Sequence, residues 1–171
     1  MNSLKHSMRQ MFEERRADYG IRYGNTLEDG LLEKIINLSL LNERIFKAQP
    51  WRVIAVKSDE GKQRLYNLLN SAKVLDSAVI LIILLPFNYS PIEKASANSQ
   101  PVTISLTYAA KYYGVDCYPI YDFDPGIIAK EFDVGEGREI ISIICLGYFS
   151  YLHPASLQTK NRSYSETVKE I

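Results

Sequence analysis

The spacing of apolar residues changes period several times along the chain, and each change marks an element. Leu4, Met8, Met11 and Phe12 recur at helical spacing, which predicts a first helix over 4 to 16. A second helix is predicted from Thr26, whose hydroxyl suits an N-cap. It carries Glu28 and Asp29 in its first turn and Leu31, Ile35 and Leu38 on one face, and ends near Leu41 or Asn42. Arg52 to Val56 reads as a strand, entered through Gln49-Pro50 and the only tryptophan, Trp51, which is expected to anchor the junction against the core. A helix follows over 59 to 69 with Leu65, Leu68 and Leu69 turned inward. Residues 78 to 85, "AVILIILL", are apolar without alternation, the pattern of a central strand covered on both faces.

Residues 86 to 101, rich in Pro, Ser and Asn, predict a loop, and 102 to 113 a helix stopped by Gly114. Asp116 to Tyr121 is expected to extend briefly. Asp124-Pro125 is a cap with proline at the first helical position, so a short helix is expected over 126 to 132. Gly135 and Gly137 predict a turn, and Glu139 to Leu146 a second buried strand. The tail after Tyr148 is polar, with a terminal strand expected over 165 to 171. Helices alternating with buried strands predict an α/β or α+β class with one central sheet covered on both faces.

At 171 residues the chain suits one domain, 1–171, with a core of its own. Twenty Lys and Arg balance twenty Asp and Glu, so the charge footprint of a general nucleic-acid binder is missing and any anion site has to be local. Cys117 and Cys145 lie far apart in apolar or aromatic surroundings, and His6 and His153 sit near opposite ends. Neither pair has metal-ligand spacing, disulfide use is not expected, and a reducing cytoplasm is the expected home. The run from Ala78 to Leu85 is too short to span a bilayer, and the charged first residues do not read as a signal peptide.

The usual nucleotide fingerprints are absent: no Gly-x-Gly-x-x-Gly follows a strand, and no Gly-x-x-x-x-Gly-Lys-Ser/Thr occurs. "GEGRE" at 135 to 139 precedes a strand and reads as a plain turn. No Gly-x-Ser-x-Gly elbow is present. What remains is scattered. Arg15-Arg16, taken alone, read as solvated charge or a helix-dipole contact. Lys160 and Arg162 alternate in an extended tail and can face one anion. Asn70 and Lys73 flank a helix end before the central strand, and "PIYDFDPG" at 119 to 126 reads as a strand-to-helix connection.

Taken in order, these pieces are similar to a known family. "RRADYG", "AQPWRVIAV", "NSAKVLDSAVIL", "GVDCYPIYDFDPGIIAKEFDVGEG" with "IISIICLGY", and "TKNRSYSETV" follow one another as they do in the nitroreductase-like FMN proteins, which the chain resembles over nearly its full length. The resemblance implies an α+β, nitroreductase-type fold: a central mixed sheet with helices on both faces, in a homodimer whose C-terminal tails (149–171) pack on the partner. It assigns Arg15, Arg16, Lys160 and Arg162 to the phosphate of FMN, where arginine forks suit the geometry of a near-dianion. Ala17 stands where the family usually has a hydroxyl. Lys47 and Gln49 fall on ring and ribityl contacts, with "RIFKA" in place of the family's Pro-Ser-x-x-Asn. Asn70 and Lys73 match positions at the ribityl chain and the pyrimidine end of the flavin, where a cation stabilises the negative charge of the reduced ring. Tyr121 and Asp122 occupy the place of an often-found Glu-Gly whose backbone N–H meets N5. The segment 86 to 101 is shorter than the helical excursion many relatives carry there.

The activity implied by the resemblance is an FMN-dependent oxidoreductase that takes hydride from NADH or NADPH and passes electrons to a nitroaromatic, quinone or related small acceptor by a ping-pong mechanism. No side chain is singled out as catalytic, since the reacting atom is flavin N5. The rival expectation is a flavin-binding or sensing protein with little turnover, and a third is a relative that has lost FMN. No metal, membrane or nucleic-acid partner is expected.

Overall fold

The computed structural model describes residues 26–41, 51–86, 99–148 and 167. The chain order is α1 (Leu31–Leu40), β1 (Arg52–Val56), α2 (Asp59–Leu69), α3 (Ala72–Asp76), β2 (Val79–Pro86), α4 (Ser99–Tyr112), β3 (Asp116–Ile120), α5 (Pro125–Glu131) and β4 (Arg138–Gly147). The strands form one four-stranded sheet in the order β1-β2-β4-β3. All three pairings are antiparallel, where a mixed sheet was expected. The terminal strand expected over 165–171 lies outside the described residues except for Thr167, which is helical and exposed.

β2 is the strand that "AVILIILL" predicted, and its two faces explain why the run does not alternate. Val79, Leu81, Ile83 and Leu85 enter one core with Leu31 and Ile35 of α1 and with Val102, Leu106, Ala109 and Ala110 of α4. Ile80, Ile82 and Leu84 enter a second core with Leu65 of α2, Val74 of α3 and Ile128 of α5. Helices therefore cover both faces, and a strand with no solvent side needs no polar positions. Trp51 is buried in the first core at the entry to β1, as expected.

β4 serves both cores through a bulge. The register passes from Ile83↔Ser142 to Leu84↔Ile140, which leaves Ile141 as the extra residue. The bulge reverses the parity of the strand. Ile143 and Cys145 share the second core with Ile140, while Ile141 packs with Ile144 and Leu146 on the first. Ser142 is fully buried and its Oγ accepts a 3.2 Å hydrogen bond from the Thr103 hydroxyl of α4, so the polar group in the core is satisfied.

Several boundaries differ from expectation. α1 does not start at Thr26: Gly30 adopts a left-handed conformation with φ 74° at the N-cap, and Leu31 N–H donates to Glu28 C=O, so Asp29 and Gly30 form a turn ahead of the helix. α4 begins at Ser99, earlier than expected, because Pro101 falls in the first turn, where its missing N–H has no helical partner to lose. Leu68 is exposed and not inward, since the second core takes Leu65 and, in part, Leu69 from α2. The short α3 was not expected at all. The first helix over 4 to 16, residues 87–98 of the loop expected over 86 to 101, and the tail apart from Thr167 lie outside the described residues, while Pro86 ends β2 and 99–101 open α4.

Candidate functional site

The site region begins where α2 ends. Asn70 caps that helix in the left-handed region, φ 47° and ψ 38°, and its N–H donates 2.7 Å to Tyr66 C=O. Asparagine tolerates this conformation better than other non-glycine residues, so the chain reverses here without a glycine. Ser71 is extended, and α3 follows at once with Val74 N–H donating to Ser71 C=O. Val74 is fully buried in the second core and fixes the short helix to the sheet. On the next position of the chain toward Asn70 stands Lys73, half-buried.

Lys73 is held at both ends. The hydroxyl of Ser77, itself buried, donates to the Lys73 carbonyl. At the other end the ammonium lies 3.6 Å from the centroid of the Tyr118 ring. Tyr118 is on β3, directly opposite Cys145 of β4. Burial pushes the Cys145 thiol up to about 11, with a Ser77 hydrogen bond and the Lys73 charge acting against that rise. Lys73, Ser77, Tyr118 and Cys145 thus form one cluster on the face of the second core.

β3 leads from this cluster to the other predicted residues. Tyr121 and Asp122 follow the strand end, both exposed, and at about 3.3 Å per extended residue Tyr121 stands roughly 10 Å from Tyr118 along the chain. Asp124 then caps α5, its Oδ1 accepting 2.8 Å from Gly126 N–H and 3.1 Å from Ile127 N–H, with Pro125 at the first position as expected. α5 is tied to α2 by Arg64, which donates to the side chain and carbonyl of Glu131 and lies 5.0 Å from the centroid of the Phe132 ring. Ile120 and Phe123, on either side of Tyr121 and Asp122, pack against the second core, the one that also takes Val74 beside Lys73.

Of the sequence-predicted residues, Asn70, Lys73, Tyr121 and Asp122 are described, and Lys73 is brought onto Tyr118 of the strand that leads to Tyr121 and Asp122. Arg15, Arg16, Ala17, Lys47, Gln49, Lys160 and Arg162 lie outside the described residues. A separate hollow of about 270 Å³ opens between the Glu28–Gly30 turn, Lys57 and Val79, and no predicted residue lines it. Among the described residues no three His, Cys, Asp or Glu are grouped to hold a metal ion, and no helix is long and apolar enough to cross a membrane. Sequence reasoning missed Ser77 and Tyr118. Their roles come from the β3–β4 register and the placement of α3, which no local motif signals.

The chemistry of the donor set fits a flavin edge. A half-buried ammonium and an exposed side-chain amide, three residues apart at a tight chain reversal, are cationic and neutral N–H donors of the kind that meet carbonyl oxygens and hydroxyls. No model of a known protein family matches the sequence, and no curated protein matches it. Solved structures do. A Bacillus subtilis protein provisionally described as a nitroreductase superposes with a TM-score of 0.79 at 15% identity, over 98% of this chain and 100% of that one. The chain has the nitroreductase fold. Two further solved structures superpose on the chain as well. One, from Exiguobacterium sibiricum, provisionally described as a nitroreductase, is in complex with FMN, with a TM-score of 0.75 at 16% identity over 95% of this chain and 96% of that one. The other, from Staphylococcus epidermidis, is provisionally described as an NAD(P)H:FMN oxidoreductase, with a TM-score of 0.74 at 18% identity over 95% and 94%.

Proposed function

We propose that this chain is an FMN-dependent oxidoreductase that draws electrons from NADH or NADPH and delivers them to a nitroaromatic, quinone or related small acceptor in a ping-pong cycle. The observation that carries the reading is Lys73, three residues from the Asn70 reversal, with its carbonyl bonded by Ser77 and its ammonium over Tyr118 of the strand that leads to Tyr121 and Asp122. Bound FMN would supply the hydride and electron chemistry, which no side chain of this protein can perform. Lys73 presents a fixed positive charge to the pyrimidine edge, so negative charge developing there is met by a charge already in place. Asn70 offers its amide to the ribityl chain. Tyr121 and Asp122 line the ring face and offer a backbone N–H toward N5. Arg15, Arg16, Lys160 and Arg162 would take the phosphate, with Ala17 beside it, and Lys47 and Gln49 would meet the ring edge.

The Asp122 carboxylate does not exclude this role. It is exposed, and two like charges 4 Å apart in water repel by only about 1 kcal/mol. We further propose that residues 1–171 make one domain and that two copies form a homodimer, with the 149–171 tail of each packing on the other and FMN between them.

The test is an anaerobic titration of purified, FMN-loaded protein with NADH and NADPH, followed at the flavin bands, and then reoxidation by a nitroaromatic or a quinone. Bleaching by either donor and recovery on adding acceptor are expected. Protein that binds FMN yet resists both donors would be a flavin-binding or sensing protein instead, and protein that binds no FMN would end both readings.

A further inference from the structure

The seat under Lys73 belongs to a residue the resemblance does not assign. An ammonium 3.6 Å from a ring centroid is well inside the range where the negative face of the ring attracts it. The lysine stem is long and flexible, and its charge is compact and free to wander unless something holds it. Here its carbonyl is held by the buried Ser77 hydroxyl, and its head lies over a ring that is part of the sheet, Tyr118 being paired opposite Cys145. Strand β3 is paired residue by residue with β4, which is buried along most of its length, so the ring stands on a fixed backbone. A charge that acts on a developing charge is effective when it needs no rearrangement at the moment of reaction.

We propose that Tyr118 is a positioning residue whose ring holds the Lys73 ammonium at the pyrimidine edge of bound FMN. The proposal rests on the FMN reading above. The consequence is selective: with the ammonium held, the protein binds reduced FMN, which carries negative charge at that edge, better than oxidised FMN, and the midpoint potential of the cofactor rises. A residue that only supported the fold would weaken both forms together and leave the potential where it was.

The experiment measures the midpoint potential of FMN bound to the full chain, by anaerobic equilibration with a reference dye, in the wild type and in Tyr118→Leu, Tyr118→Phe, Lys73→Met and the Tyr118→Leu/Lys73→Met pair. Tyr118→Leu is expected to cut the preference for reduced FMN about tenfold, a fall of about 30 mV for a two-electron couple. Tyr118→Phe, which keeps the ring, is expected to restore most of it. Lys73→Met is expected to lower the potential at least as far, and adding Tyr118→Leu to it to change nothing more, because the two residues act as one unit. A wild-type potential in Tyr118→Leu, or additive losses in the double variant, would overturn the role of Tyr118 while leaving the flavoprotein reading intact. A wild type that takes up no FMN would overturn both. Should Tyr118→Leu not fold, the ring-current shift of the Lys73 ε-methylene in the wild type and in Tyr118→Phe decides: an upfield shift retained when FMN binds supports the seat, and a shift absent or lost on binding overturns it.

Discussion

Cys117 and Cys145 are both free, and each is desolvated on its own face of the sheet. Burial raises Cys117 from an ordinary 9.0 to about 12, opposed by a Thr107 hydrogen bond, although part of that residue remains accessible. Cys145 rises to about 11. A raised value means that above pH 9 the unfolded chain loses these protons while the folded chain keeps them, so stability is intact below pH 9 and falls as pH rises toward 11 and 12. Thermal unfolding midpoints are therefore expected to be flat from pH 7 to 8.5 and to drop above 9, with a smaller drop in a Cys117→Ala/Cys145→Ala variant. Both thiols are expected to stay unreactive toward a disulfide reagent at pH 8 until the protein unfolds. Asp124→Ala removes two capping bonds from α5 and is expected to cost about 1 kcal/mol in denaturant unfolding. At this scale the sequence disclosed residues whose role is local. The Asp124-Pro125 cap and Trp51 were readable because their partners are neighbours in the chain or the core at large. Tyr118 was not, because its partner Lys73 is distant in the chain and meets it only where α3 packs on the sheet.

Among the elements, close approach decides more than propensity. Gly61 lies in the first turn of α2, where an added Cβ would fall 2.7 Å from Val56 Cγ1 and 3.1 Å from Ser58 Oγ. Gly61→Ala gains about 1 kcal/mol of helix propensity, yet overpacking a buried valine costs about 1 to 3 kcal/mol. The net expectation is a loss of up to about 2 kcal/mol, read as a shift in the urea midpoint with unchanged slope. Arg64→Ala opens the clasp between α2 and α5; because the pair is partly exposed, the global loss should be under about 1 kcal/mol. Its clearer sign is faster amide exchange in α5 than in β4. The pattern of apolar residues located β2, α2, α4 and β4 because each sets apolar side chains into a core at its own period. It misplaced the start of α1, where a left-handed glycine overrides a well-formed capping signal, and it passed over α3, which at five residues is too short for a helical period to repeat.

In the whole molecule, the two cores share β2 and β4, so a substitution in either strand is felt on both faces. Ile82→Ala is expected to cost about 2 to 5 kcal/mol and to abolish cooperative folding in a marginal background. The proposed dimer is expected to sediment at twice the chain mass, and removal of residues 149–171 to yield monomer that retains FMN poorly. The fold itself was legible from the order of its motifs. The direction of the strands was not, because an apolar run buried on both faces reads alike whether its neighbours run with it or against it.

The ladder between β2 and β4 also sets an order of events at birth. Val79 pairs with Leu146, so about 60 residues must follow β2 out of the ribosome before its second neighbour exists. At about 5 to 20 residues per second, that leaves one edge of the most apolar strand open for roughly 3 to 12 seconds. The nascent chain is then most in need of a chaperone, and a fragment ending before Arg138 should scatter light where the full chain stays clear.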